Sequence, residues 1–149
     1  MKDFMTKCAV SLSLISCFSG LSTAQGSECN QHTLNGRYIF TASGFYRPAP
    51  GTPWVPKAIF EVLVFNGDGT IDAPFVTLAN PSGDTGVVTP PSTGEGTYTL
   101  NEDCTGTINF AGPPYPAYTI FVSPRGADEI WMILTNPPQH VLQGTAKRK

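Results

Sequence analysis

The sequence predicts an all-β fold, an eight-stranded antiparallel up-and-down β-barrel, from three observations. Hydrophobic residues alternate with period two along nearly the whole chain beyond its N-terminal segment. No stretch keeps helical spacing for three turns, and 15 Gly and 14 Pro cut the apolar runs into short pieces. Eight runs rich in β-branched and aromatic residues result: Arg37–Phe45, Ala58–Phe65, Thr70–Leu78, Gly96–Leu100, Cys104–Phe110, Tyr118–Val122, Glu129–Leu134 and Val141–Lys147. Tight links such as Asn66-Gly67-Asp68-Gly69 and Asn101-Glu102-Asp103 favour antiparallel neighbours. With no helix to carry a parallel crossover, successive hairpins close into a barrel, which removes exposed edges. A two-sheet β-sandwich is the alternative arrangement of the same strands.

Composition limits what such a barrel does. A chain of 149 residues, 40% hydrophobic and 13% charged, suits one domain. A net charge of −2, with Lys147-Arg148-Lys149 as the only basic run, leaves no footprint for nucleic acid. Residues 1–24 read as a signal peptide: Lys2 and Lys7 precede the apolar stretch Cys8 to Phe18, and Ser22-Thr23-Ala24 offers small residues for cleavage. Leu14-Ile15-Ser16-Cys17 resembles a lipobox, so a lipid anchor on Cys17 is the alternative to a secreted or periplasmic chain. Beyond the leader no run reaches the ~20 apolar residues of a transmembrane helix.

Residues 25–36 then form an N-terminal arm before the barrel domain, 37–149. Cys29 and Cys104 remain after leader removal, and an exported pair of cysteines predicts a disulfide. In a meander both fall at the same end, and the segment Cys29–Gly36 has to cross the barrel base as a plug.

The strands supply the interior. Tyr38, Phe40 and Ala42 share one face of strand one, Tyr98 and Leu100 one of strand four, Ile108 and Phe110 one of strand five, and Tyr118, Ile120 and Val122 one of strand six. Strands two and seven are apolar on both faces, Phe60, Val62 and Val64 against Ile59, Leu63 and Phe65, and Trp131 and Ile133 against Ile130, Met132 and Leu134. One face of each must point outward, which makes a homodimer the expected assembly. Glu61 interrupts strand two. An outward, solvated Glu61 is the plainer expectation; turned inward, it becomes a candidate acid or base.

The links divide into a plain end and an elaborated one. Tyr46–Lys57, Ala79–Glu95, Ala111–Ala117 and Thr135–Gln139 lie at one end and hold every proline except Pro74 and Pro124. Stiffened loops on a rigid scaffold place a mouth there, with Tyr46, Trp54 and Tyr115 near its rim. The same prolines also protect strand ends from mispairing. An eight-stranded barrel either fills its interior with side chains or holds one small ligand. The ligand-binding expectation is a small apolar or aromatic molecule among Tyr38, Phe40, Tyr98, Phe110 and Tyr118, beneath Tyr46, Trp54 and Tyr115.

Catalytic motifs are scarce. With His32 and His140 as the only histidines, and no Cys-x-x-Cys, His-Glu-x-x-His or Gly-x-Ser-x-Gly, nothing points to zinc or a serine nucleophile, and no metal or other cofactor is implied. Asn66 to Asp72 looks like a calcium loop, but placing Gly69 at the obligatory glycine puts Val64 and Phe75 where carboxylates are required. A hairpin turn with glycines at positive φ fits better.

Leu34-Asn35-Gly36-Arg37-Tyr38, Phe65-Asn66-Gly67-Asp68-Gly69-Thr70, Gly96-Thr97-Tyr98-Thr99-Leu100-Asn101, Asp103-Cys104-Thr105-Gly106-Thr107 and Gly144-Thr145-Ala146-Lys147-Arg148 resemble, as an ordered set, a family of small secreted bacterial proteins. That family is similar to the allene oxide cyclase-like, calycin-type barrels. The resemblance runs from Leu34 to the C-terminus and implies a barrel whose relatives shape a reactive substrate in an apolar cavity. Three functions follow as expectations: an exported small-molecule binder, a cofactor-free cyclase or isomerase with Glu61, Tyr98 or Tyr38 handling protons, and a structural surface module.

Overall fold

Alternation of inward apolar and outward polar side chains winds the chain into one closed antiparallel sheet. The computed structural model describes residues 28–82, 85–124 and 126–149, with the backbone alone for 81–82 and 85–91. The leader expected at 1–24, with Cys8 and Cys17, lies outside the described residues. The strands are β1 (Asn35–Tyr46), β2 (Val55–Asn66), β3 (Thr70–Ser82), β4 (Thr85–Leu100), β5 (Thr105–Phe110), β6 (Ala117–Val122), β7 (Glu129–Asn136) and β8 (His140–Arg148). They are neighbours in chain order, and β8 returns to β1 to close the barrel. The up-and-down barrel is therefore the observed fold, and the sandwich is not.

One link departs from expectation. Ala79–Glu95, read as a loop from its prolines, is mostly a ribbon in which β3 and β4 pair as far as Ser82 and Thr85. Two of its prolines are accommodated because the ladder slips there, while Pro81 stays in register opposite Gly86. Val76 pairs Ser92 and Leu78 pairs Thr89, so Pro90 and Pro91 fall in a bulge, where a missing N–H breaks no ladder bond. Strand five also starts one residue later than expected, because Cys104 has φ 67° and belongs to the turn.

Two plain-end hairpins share one side-chain device. In Asn66–Thr70, Asp68 Oδ1 accepts from Thr70 N at 2.9 Å and Thr70 Oγ1 at 2.6 Å, while Asn66 Nδ2 donates to Thr70 Oγ1. In Asn101–Thr105, Asp103 Oδ1 accepts from Thr105 N and Oγ1 at the same distances, and Asn101 Nδ2 donates to Thr105 Oγ1. The pattern Asn-x-Asp-x-Thr thus closes both turns through its own side chains. Its fourth residue takes positive φ in each, Gly69 at 94° and Cys104 at 67°. Thr70 and Thr105 hold the Asp68 and Asp103 carboxyls below the usual range by bonding their charged forms.

The arm closes the plain end as a plug. Cys29 and Cys104 form a disulfide with their Cα atoms 5.0 Å apart, and Cys29 N donates to Glu102 O. A short 3-10 turn, Gln31–Thr33, capped by Asn30, carries the chain beneath the barrel, and Leu34 is fully buried. Tyr98 Oη donates to Gln31 O at 2.7 Å and Leu34 O at 2.9 Å, tying β4 to the plug. Tyr38 Oη donates to Ala127 O at 2.7 Å. Above these hydroxyls Phe65 packs edge-on against Tyr38 and Tyr98, with ring centroids 5.2 and 5.1 Å apart. This half of the interior is filled with side chains.

Candidate functional site

The other half of the barrel is not filled. A cavity of about 230 Å³ opens at the proline-rich end, between β2, β3, β4, the β5–β6 loop and the start of β8. Ile59, Ala73, Val76, Leu78, Phe110, Tyr118, Leu134 and Leu142 form its apolar wall, and Pro113, Pro114 and Pro116 border the mouth. A larger hollow of about 700 Å³ lies on the barrel's outer surface around Thr41, Thr119, Phe121, Trp131 and Gln143, but no titratable side chain lines it. The interior cavity is the chemically equipped one.

Its polar groups come from the alternation of β2. Every second residue from Lys57 to Phe65 turns inward, so Lys57, Ile59, Glu61, Leu63 and Phe65 share the core face. Glu61 is 7% exposed and Lys57 8%. The expectation of an outward, solvated Glu61 is therefore reversed. Strand register decides it, because an outward Glu61 would require Leu63 and Phe65 to face water as well.

Glu61 Oε2 is buried without a hydrogen-bond partner. Arg47 Nε and Asn80 Oδ1 are in the same condition, but only Glu61 lines the cavity. Desolvation pushes the Glu61 carboxyl up to about 7, against the opposing pull of the Lys57 charge. Burial likewise lowers the Lys57 ammonium, with Glu61 opposing. Among the described residues ion pairs join Lys147 to Glu129 and Arg148 to Asp128, and neither Lys57 nor Glu61 takes part in one. Their attraction acts across the cavity instead of through a contact.

His140 completes the polar set. Its Nδ1 lies 3.5 Å from Lys57 Nζ, and burial together with the Lys57 charge lowers its pKa. Tyr46 meets His140 edge-on at 5.8 Å, and the Lys57 ammonium lies 6.0 Å from the Tyr46 ring centre. Lys57 and His140 reach each other across β1 at Gly44, which pairs with Lys57 on one side and Leu142 on the other. A Cβ on Gly44 would collide with the Val141 carbonyl oxygen, so only glycine allows β8 to approach so closely.

The expected ligand residues separate into three groups. Tyr118 and Phe110 line the cavity, with Phe40 packed edge-on behind Tyr118 at 5.7 Å. Burial, reinforced by the Glu61 charge, raises the Tyr118 hydroxyl far above its ordinary range. Tyr38 and Tyr98 belong to the closed base, where their hydroxyls donate to backbone carbonyls and burial raises both pKa values. Tyr46 stands at the rim. Trp54 and Tyr115 are exposed there, Trp54 beneath the Arg47 guanidinium at 4.5 Å, and neither lines the cavity.

Lys57 and His140 were missed as site residues. The signal was available for both, since Lys57 is in phase with Ile59, Leu63 and Phe65, and His140 is in phase with Leu142 and Ala146. No helix among the described residues is long and apolar enough to cross a membrane, and no group of three or more His, Cys, Asp and Glu among them could hold a metal ion. The architecture is consistent with a calycin-like barrel. No family model, curated protein or solved structure matches the chain, so its own geometry carries the functional argument.

Proposed function

We propose that this is an exported barrel that binds a small apolar or aromatic molecule in its interior. The observation that carries this reading is a half-filled barrel whose open half has apolar walls and one buried, unpartnered carboxyl oxygen. Small-molecule sites commonly combine such walls with a few fixed polar groups. Export is supported by the leader expected at 1–24 and by the Cys29–Cys104 disulfide, which favours an oxidising compartment. The resemblance to small secreted barrels of the allene oxide cyclase-like type points the same way. A homodimer through Phe121, Trp131 and Ile133 is the assembly this reading expects, and sedimentation analysis checks it.

Gly94 provides the test. It lines the cavity at ordinary φ, and a Cβ there would meet only Ala73 and Phe110 side-chain carbons, at 3.7 and 3.8 Å. Gly94→Leu should fill the space without disturbing the backbone. Toluene and p-cresol should bind the wild type in titration calorimetry and fail to bind Gly94→Leu. Equal behaviour of the two proteins would remove the interior as the binding site.

A cofactor-free cyclase or isomerase is the second reading, favoured by the inward position of Glu61 beside Tyr118. A carboxyl titrating near neutrality is suited to moving a proton at the pH where it works. Hydrogen–deuterium exchange at the α-carbon of cyclohexanone, accelerated by the wild type and not by Glu61→Gln, would support it. No acceleration by either protein would leave the binder alone.

A further inference from the structure

The cavity limits the size and polarity of its guest. Its volume of about 230 Å³ falls below the ~300 Å³ at which drug-sized pockets begin, yet exceeds the ~150 Å³ that admits benzene. One six-membered ring with two small substituents fills that range, whereas a long acyl chain does not fit.

Its polar groups are separated along one strand. Lys57 lies at the mouth, outside every ion pair among the described residues, with His140 Nδ1 as its hydrogen-bond neighbour. Glu61 lies deeper on the same face, four residues on, so roughly 13 Å separates the two Cα atoms at ordinary strand rise. The intervening wall is apolar, with Ile59 on the strand between them and Leu142 and Leu134 close by. A buried ammonium without a carboxylate contact favours an anion, and a buried carboxyl oxygen without a partner favours a hydroxyl.

We propose that the cavity binds a one-ring organic acid with a hydroxyl remote from its carboxylate, the carboxylate meeting Lys57 Nζ and the hydroxyl pairing with Glu61 Oε2. This rests on the interior-binding reading and adds the chemical class of the ligand. Lys57 and Glu61 act as the specificity poles, while the apolar wall accepts the ring.

Titration calorimetry at pH 6 with the disulfide-intact protein tests it, using 4-hydroxybenzoate, benzoate, methyl 4-hydroxybenzoate and toluene. 4-Hydroxybenzoate should bind at least 10-fold more tightly than benzoate, which lacks the hydroxyl, and than the methyl ester, which lacks the charge. Lys57→Met should erase the preference for acid over ester while still binding toluene. Glu61→Leu should erase the preference for 4-hydroxybenzoate over benzoate. Toluene binding in each variant shows that the barrel is folded. If toluene binds the wild type but acid and ester bind equally, or if Lys57→Met keeps the preference, the ligand class is wrong and the interior-binding reading survives. If none of the four compounds binds the wild type, both fall together.

Discussion

Lys57 Nζ and His140 Nδ1 stand 3.5 Å apart at the barrel mouth, brought together across β1 where Gly44 has no side chain. Burial disfavours the charged form of each, and the Lys57 charge further disfavours protonation of His140. The unfolded chain therefore takes up a proton at residue 140 more readily than the folded one. His140 contributes stability that is present above its unfolded pKa of 6.5 and is lost as pH falls through the lower folded value. His140→Gln should lose less stability than the wild type between pH 7 and pH 5, measured by urea denaturation. An identical acid profile would show that the imidazole is solvated.

Glu61 acts in the opposite direction. Its folded pKa of about 7 lies above the unfolded 4.5, so its contribution is fully present below pH 4.5 and is lost as pH rises through 7. Relative to the wild type, Glu61→Gln should be unchanged near pH 4 and more stable by about 3 kcal/mol at pH 8, the free-energy equivalent of raising the carboxyl from 4.5 to about 7. Denaturant midpoints at the two pH values measure this. A constant difference across pH would mean that Glu61 titrates normally.

Tyr98 separates the base from the mouth. Its hydroxyl donates to Gln31 O and Leu34 O, both in the plug. Tyr98→Phe should reduce stability by about 2 kcal/mol, because the one hydroxyl proton that the two carbonyls share is lost. Ligand affinity at the mouth should stay within twofold. A large fall in affinity with unchanged stability would instead place Tyr98 among the groups that touch the guest.

The disulfide spans 75 positions, and closing a loop of that length stabilises the fold by about 4 kcal/mol in the chain-entropy model. The double variant Cys29→Ser, Cys104→Ser should lose stability on that scale, with protection of the Leu34 and Tyr98 amides falling first in hydrogen exchange. Protection lost evenly through the barrel would show that the plug is no separate unit.

Much of the barrel was legible because strand alternation is a local property. The core faces of β1, β6 and β7 follow directly from Tyr38-Phe40-Ala42, Tyr118-Ile120-Val122 and Ile130-Met132-Leu134, all of which are inward. The proline-rich ribbon was not legible, because Pro90 and Pro91 argue against a strand until a bulge on β4 absorbs them. At Glu61 charge and parity disagreed. The charge favoured water, and the burial of Leu63 and Phe65 on the same face prevailed.

The order of residues alone determined the number of strands, their direction, the sulfur pair and the end at which the loops collect. Tertiary structure decided what the interior contains: aromatic packing below, open space above, and Lys57, Glu61 and His140 meeting around that space. The physical reason is range. Alternation and turn chemistry act over a few residues, whereas a cavity depends on side-chain volumes from strands that meet only when β8 closes onto β1.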